Sequence, residues 1–252
     1  MVVHANQNEV ILNRYKLEDS HWFFKGLRLI LRNNLEKNVF NNDNLKILDI
    51  GCGSGANLKW LNEYGEAHGV DISEFAIECC RNRKLNNLQI ASAEKLLYAD
   101  NYFDLALSVQ VFCNIPESDI KAWKEVYRVL KPGGYFISLL PAYNSLFGPH
   151  DAASGSFRRY NASYILKISK DCNLEVKKIA FYNTLLFPFI AFYRLMSKFL
   201  CKNTNRTKTD IKEVNPLVNS ILSKIIQTEV FISNFVNFPY GLSILSIHKK
   251  AK

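Results

Sequence analysis

The cysteines of this chain lack the spacing of a metal site or of a disulfide framework. None of the six forms a C-x-x-C pair, and none clusters with a histidine. The absence of both patterns argues for a reducing compartment and against a structural zinc ion. We therefore expect no bound metal. The six are Cys52, Cys79, Cys80, Cys113, Cys172 and Cys201.

Long apolar runs are also absent. The first residues, including Asn6–Glu9, do not form the apolar core of a signal peptide. The uncharged stretch Ile179–Tyr193 contains Pro188 and is shorter than the ~20 residues that a spanning helix needs. We expect a cytoplasmic protein. Residues 183–202 could form a buried cap, bind a long apolar substrate, seal a dimer, or rest on a membrane with Arg194, Lys198 and Lys202 toward the head groups.

Composition indicates one sizeable α/β domain with an excess of positive charge. The chain has 252 residues, 48% of them hydrophobic and 22% charged. Its net charge of +9 suggests an anionic partner, although many basic residues stand singly. Nucleic acid, an anionic lipid surface, a phosphorylated substrate and a merely solvated surface all remain open. No appended RNA-binding module or aromatic-basic stacking pattern is apparent, so nucleic acid is the least favoured.

The stretch from Leu45 to Leu61 carries the strongest functional signal. An apolar run ends at Ile50, glycines alternate with small residues from Gly51 to Gly55, and helical spacing follows. This order predicts a strand, a tight turn and a helix, where a ligand can approach bare backbone. Gly51 and Gly53 also satisfy a loose dinucleotide fingerprint. Asp49 argues against a pyrophosphate there, because its carboxylate would repel the phosphates and attract an ammonium group.

Short apolar runs alternate with helical patterns along most of the remaining chain. This alternation predicts a doubly wound, Rossmann-like sheet of seven strands, mostly parallel with an antiparallel last strand. A long amphipathic helix between Leu17 and Val39 should pack across the sheet edge, and a helical insert separates strands six and seven. We divide the chain into an N-terminal helical lid (1–44), a cofactor-binding core (45–182), a helical insert or cap (183–237) and a last strand with its tail (238–252). The predicted strands are 45–50, 67–70, 88–91, 103–109, 135–140, 174–182 and 241–248.

The glycine turn resembles motif I of the class I S-adenosylmethionine-dependent methyltransferases of the small-molecule, type 11/12-like kind. Phe103–Ala106 and Val126–Gly134 resemble two later motifs of the same family. The resemblance implies S-adenosylmethionine as cofactor and S-adenosylhomocysteine as product. It places the methionine part at Asp49 and the glycine turn, and the ribose at Asp71. The implied cofactor set is Asp49, Gly51, Cys52, Gly53, Asp71, Ile72, Ser92, Ala93, Glu94, Val109 and Gln110.

Two positions depart from the family pattern. Ser92 stands where relatives often have an aspartate for the adenine, which leaves a weaker hydroxyl partner. Cys113–Asn114 replaces a polar pair that often contains a histidine, so a base at that point is missing. We interpret Cys113 as a buried small residue because no activating base accompanies it.

The N-terminal H-W-F-F run resembles the lid of a bacterial subgroup of these enzymes. Trp22 is therefore a candidate substrate-binding residue, with a plain core aromatic as the alternative. Arg28, which follows the run, is expected on the surface.

A polar loop after the predicted fifth strand is the candidate acceptor side. Its pattern resembles methyltransferases acting on glycans, lipids or secondary metabolites, and it predicts His150 and Tyr160 as catalytic groups. The alternative is a structural network in which the arginines pair with Asp151 and Asn161 caps the next helix. The implied substrate-binding residues are Trp22, Tyr143, Asp151, Arg158 and Arg159.

These observations predict methyl transfer to an oxygen of a small, glycan-linked or lipid-linked acceptor, with His150 as the base. An RNA methyltransferase, a non-catalytic cofactor-binding subunit and a nicotinamide oxidoreductase are the alternatives. An oligomer could form through the insert.

Overall fold

A computed structural model of the chain describes residues 7–38, 44–200 and 212–252. One seven-stranded sheet organises them, with the strand order β3-β2-β1-β4-β5-β7-β6. The strands are β1 (Leu45–Ile50), β2 (Gly65–Asp71), β3 (Leu88–Ile90), β4 (Phe103–Val109), β5 (Leu130–Pro141), β6 (Leu174–Tyr182) and β7 (Ser243–Lys250). The helices are α1 (Gln7–Leu17), α2 (Trp22–Asn38), α3 (Ala56–Leu61), α4 (Glu74–Asn82), α5 (Ile120–Val129), α6 (Pro149–Ala153), α7 (Ala162–Asp171), α8 (Phe187–Leu200) and α9 (Pro216–Ile232).

The predicted architecture is confirmed. Strands β1 to β5 pair in parallel, whereas β7 runs antiparallel to both β5 and β6. The predicted bounds of β1, β4 and β6 match the structure, and the others shift by a few residues. The division into lid, core, insert and tail stays a prediction.

Alternate residues of each central strand bury against different helices. Ile47 and Leu107 join α2, α3, α4 and α9 on one face, whereas Leu48 and Ala106 join α5 and α7 on the other. Because both faces are covered, these strands read as nearly continuous apolar runs. Asp49 lies between Leu48 and Ile50, so its side chain points to the same face as Ile47.

Two details differ from the sequence expectations. The helix predicted between Leu17 and Val39 packs on a sheet face beside α9, where Ile226 lies against Gly26, instead of crossing the edge. Gly26 permits this close approach. The residues Lys131–Gly134 end helix α5 as expected, but they continue as the irregular start of β5 and do not precede it.

The described part of the insert contains two helices that are buried to different extents. Helix α9 packs against α2, with Ile226, Glu229 and Val230 buried. Helix α8 lies near the segment Asn144–Leu146 and leaves much of its surface exposed. A buried cap therefore describes α9 better than α8. The predicted basic linker Lys202–Lys212 falls outside the described residues except for Lys212. Among the described residues, no helix is both long and apolar enough to cross a bilayer.

Candidate cofactor and acceptor site

The turn between β1 and α3 exposes its backbone to a ligand. Gly51 has φ of 71°, and a Cβ there would lie 2.3 Å from Val111 Cγ2. Gly53 has φ of 54°, but a Cβ there would meet only Arg14 Cζ, at 3.9 Å. The two glycines therefore serve different needs, because Gly51 permits the turn and Gly53 leaves space above it.

Asp49 is a buried carboxylate without a hydrogen bond. It is the penultimate residue of β1, and neither of its oxygens has a hydrogen-bond partner. Burial raises its pKa to about 7, against the opposing effects of the Arg14 charge and the Asn57 amide. Buried polar groups in proteins are nearly always partnered, so an unpartnered carboxylate beside a cleft indicates a missing cationic ligand.

A cleft opens between the glycine turn and the two N-terminal helices. Its lining residues are Arg14, Glu18, Phe24, Leu27, Arg28, Cys52, Ala56, Asn57 and Val109. Cys52 and Val109 belong to the predicted cofactor set. The residues from α1 and the loop after it were missed, because their sequence shows no pattern that links them to a turn some 35 positions away.

Arg14 carries an unpartnered donor into this cleft. Its Nε is buried and makes no hydrogen bond, standing 3.7 Å from Glu18 Oε2. The guanidinium lies 5.4 Å from the centroid of the Phe24 ring, within the range of a cation–π contact. Arg14 thus brings a donor without a hydrogen bond to the cleft, and its charge favours the ionised form of Asp49.

Glu18 ties the N-terminal helices to the turn. One of its oxygens accepts from Ser54 Oγ at 2.6 Å and from Arg83 Nη2 at 2.8 Å. Arg28 donates to the Glu18 carbonyl at 2.5 Å, and burial lowers the pKa of this guanidinium. Arg28 therefore lines the cleft and is not the free surface residue that we expected.

Asp71 supports the turn as well as bordering it. Its two oxygens accept from Gly53 N and from Ser73 N, each at 2.9 Å. Carboxylate oxygens have further lone pairs, so these bonds leave acceptor capacity for a ribose hydroxyl. Ile72 follows with an exposed side chain.

The remaining predicted cofactor residues lie after β3 and β4 at the carboxyl edge of the sheet. Ser92 Oγ accepts from Glu94 N at 3.1 Å, so this hydroxyl serves the loop that contains Ala93. Gln110 follows β4 with φ of 58°, a conformation that turns the chain sharply at the strand end.

The arginines of the loop after β5 are engaged in structural contacts. Asp151 accepts from Arg159 Nη2 at 2.7 Å, from Arg194 Nη1 at 2.9 Å and from Gly148 N at 2.8 Å. Burial opposes ionisation of Asp151, but the Arg159 and Arg194 charges lower its pKa overall. Arg158 Nη2 donates to the Ile115 carbonyl at 2.8 Å. These contacts fit the structural alternative better than substrate binding.

Tyr160 belongs to a buried cluster around Asp119. Its hydroxyl donates to Asp119 at 2.8 Å, Trp123 Nε1 donates to the same oxygen at 3.1 Å, and Tyr164 donates to the other oxygen. Burial and the Asp119 charge raise the pKa of Tyr160 far above its usual range. A phenol held in this way positions the loop and cannot readily accept a proton.

The other predicted acceptor residues lie closer to the surface. His150 is partly buried in α6, and Tyr143 stacks on Phe181 with ring centroids 5.6 Å apart. Trp22 begins α2, and its backbone N–H donates to Asn219 of α9 at 2.8 Å.

Cys113 is buried and its pKa is raised by desolvation to about 11, so the thiol is unreactive.

Comparison with known proteins agrees with this geometry. The sequence profile of a family described as "Methyltransferase domain" matches residues 48–138. Residues 48–138 are thus similar to a methyltransferase domain. The match begins within β1 and ends within β5, and so includes the glycine turn and every predicted cofactor residue. Family and fold together imply S-adenosylmethionine as the cofactor of this class I domain.

Curated relatives match part of the chain. A ubiquinone/menaquinone biosynthesis C-methyltransferase of Neisseria meningitidis is 35% identical over 117 residues, covering 43% of this chain and 46% of the relative. Cycloartenol-C-24-methyltransferase 1 of rice (Oryza sativa subsp. japonica) is 30% identical over 101 residues, covering 36% and 29%. The matched part thus spans less than half of either relative.

The fold extends the likeness beyond the matched residues. The crystal structure of a SAM-dependent methyltransferase from Archaeoglobus fulgidus has a TM-score of 0.56 and 21% identity, covering 88% of this chain and 94% of that chain. At this identity the likeness establishes the fold alone.

Proposed function

We propose that the chain transfers a methyl group from S-adenosylmethionine to a small-molecule, glycan-linked or lipid-linked acceptor. The observation that supports this most is that the buried Asp49 carboxylate and the Arg14 Nε both lack a hydrogen bond, while the Arg14 charge acts on the pKa of Asp49. An α-amino acid tail carries an ammonium and a carboxylate, so it satisfies both groups at once. A diphosphate would place negative charge against Asp49.

The residues of the chain fit the cofactor in distinct ways. Asp49 would bind the ammonium group, and Arg14 would bind the carboxylate. The Gly53 backbone would leave space for the ligand between them, and Asp71 would bind the ribose hydroxyls. When bound, S-adenosylmethionine supplies an electrophilic sulfonium methyl group. The protein then has to orient the acceptor and exclude water, and α1 and α2 cover the cleft for that purpose.

The acceptor atom follows from the need for a base. A hydroxyl acceptor benefits from general-base catalysis by about 10²–10⁴, and His150 is the partly buried candidate in the loop after β5. We propose oxygen as the acceptor atom. The names of the two relatives above identify them as C-methyltransferases, which favours carbon as the second candidate.

Calorimetric titration with S-adenosylhomocysteine and with NAD tests the cofactor. We expect the first to bind and the second not to. Arg14→Leu should weaken binding of S-adenosylhomocysteine by about 10-fold or more, because a charge-assisted hydrogen bond contributes about 1.5–3 kcal/mol. It should leave the affinity for decarboxylated S-adenosylmethionine unchanged. Lys16→Leu, an exposed cation on the same helix, is the matched control. Binding of NAD in place of the homocysteine would contradict the proposal.

His150→Ala separates the two acceptor candidates. Incubation with methyl-labelled cofactor and cell extract first identifies the product. If oxygen is methylated with His150 as base, kcat should fall by about 10²-fold or more while cofactor affinity stays constant. An unchanged kcat would exclude His150 as the base and so count against transfer to oxygen, the case for which we propose that base. Cofactor binding without methylation of any fraction, including RNA, would instead identify a non-catalytic subunit.

A further inference from the structure

Helix α8 has one face that is anchored to the protein. The Phe187 ring lies 5.9 Å from Tyr143 and 5.1 Å from Tyr240 between centroids, and Ala191 is buried. One turn later, Arg194 Nη1 donates to Asp151 at 2.9 Å and to the Leu146 carbonyl at 3.2 Å. These residues recur at helical spacing, so α8 is fixed along one side to the loop after β5.

The opposite face of α8 is apolar and exposed. Phe189 and Phe192 are 75% and 68% exposed, and Tyr193 and Met196 complete the same face at spacings of three, four and seven residues. Single exposed apolar residues are ordinary, but four large ones along one helix face mark a surface that contacts another apolar phase. We name these four residues the α8 outer face.

The charge of the chain around α8 limits which kinds of partner the α8 outer face can bind. Residues 183–209 of the sequence contain five basic residues and no acidic residue, and one of the five, Arg194, pairs with Asp151 on the anchored face. A second copy of the chain would bring like charges together, which disfavours self-association through this face. Phenylalanine and tyrosine beside cations are instead typical of helices that lie in the head-group region of anionic membranes. At 14 residues, α8 is too short to span a bilayer.

We propose that the α8 outer face lies on the surface of an anionic lipid bilayer. The anchored face of α8 then holds the loop after β5, which borders the predicted acceptor side, close to the membrane. A lipid-borne acceptor would reach the site without crossing water. The proposal does not depend on methyl transfer, because it concerns a surface outside the cofactor cleft.

Vesicle flotation of the whole chain tests this surface. We expect the protein to float with vesicles of phosphatidylcholine and phosphatidylglycerol, and to stay in solution with phosphatidylcholine alone or at high salt. The double substitution Phe189→Ser, Phe192→Ser should reduce the floated fraction about 10-fold, because both apolar insertions are lost. These side chains are exposed, so circular dichroism and the melting temperature should not change.

A matched control comes from α9 and the turn after it. Phe231 and Phe235 are 65% and 75% exposed and contact each other, where Asn234 bonds Asn33 of α2. The double substitution Phe231→Ser, Phe235→Ser removes equal apolar surface from a different helix and should leave flotation intact. The proposal is overturned if anionic vesicles do not bind, or if both double variants lose binding equally. It is also overturned if light scattering shows a dimer that the α8 variant dissociates.

Discussion

Asp49 and Asp119 are both completely buried, yet their surroundings are opposite. Asp119 accepts from Trp123, Tyr160 and Tyr164, so its charge is fully solvated by the protein. The oxygens of Asp49 have no hydrogen-bond partner within 3.5 Å, although the Asn57 amide and the Arg14 charge favour its ionised form. The first carboxylate stabilises the fold without a ligand, whereas the second weakens the fold until a cation arrives. The contrast shows that an acidic residue that binds a ligand differs from one that stabilises the fold in its hydrogen-bond partners and not in its burial.

Removal of the partnered acid should have the largest effect. Asp119→Ala leaves two buried donors and one half-buried donor without an acceptor, so we expect a loss of about 3–5 kcal/mol in the free energy of unfolding. Urea denaturation measures it. Asp100→Ala, which breaks only the exposed pair with Arg128, should cost about 1 kcal/mol or less. Equal losses in both variants would remove the distinction between Asp119 and an ordinary surface acid.

Neutralisation of the unpartnered acid should affect binding more than stability. Asp49→Asn should weaken the binding of S-adenosylhomocysteine by about 100-fold, because the ammonium group of the ligand loses its counter-charge. At pH 8 the ligand-free variant should unfold at a higher temperature than the wild type, because a buried charge has been removed. Calorimetric titration and thermal unfolding measure the two effects. A lower melting temperature for the ligand-free variant would show that Asp49 is already well solvated.

The raised pKa of Asp49 predicts a particular pH dependence. Its folded-state pKa of about 7 exceeds the ordinary value of 3.8, so the folded chain holds this proton more tightly than the unfolded chain. The contribution of Asp49 to stability should therefore decline as pH rises from about 4 to about 7, by up to ~4 kcal/mol. Cofactor binding near pH 6 should release a proton, seen by titration in buffers of different ionisation enthalpy. Asp49→Asn should abolish that release.

The smallest expected effect concerns Asp151, whose contribution to stability should depend on pH in the opposite direction to that of Asp49. Its pKa is lowered, so its contribution is present above the unfolded-state value and is lost as pH falls through the folded-state pKa. Acid unfolding of Asp151→Asn should be less steep than that of the wild type below about pH 4. If the acid unfolding curve of the variant matched that of the wild type, Arg159 and Arg194 would not stabilise the ionised form of Asp151.

The sequence predicted the features that depend on local pattern. The strand, turn and helix around Asp49 follow from neighbouring residues, and the parallel sheet follows from alternation along the chain. Partnerships between distant residues could not be predicted in this way. Tyr160 donates a hydrogen bond to Asp119, which lies 41 positions earlier in the sequence. Arg14 lines the cleft from a helix whose own sequence shows no clear amphipathic pattern. The dense polar loop thus suggested catalysis where the fold uses most of its charges for support.

The link from Glu18 to Ser54 and Arg83 bears on turnover. Because Arg14 of α1 and Glu18 line the cleft, we expect release of the spent cofactor to require that these bonds break. A first catalytic cycle on preloaded protein should then run faster than all later ones, and the dwell time of the product would set the pace of the enzyme.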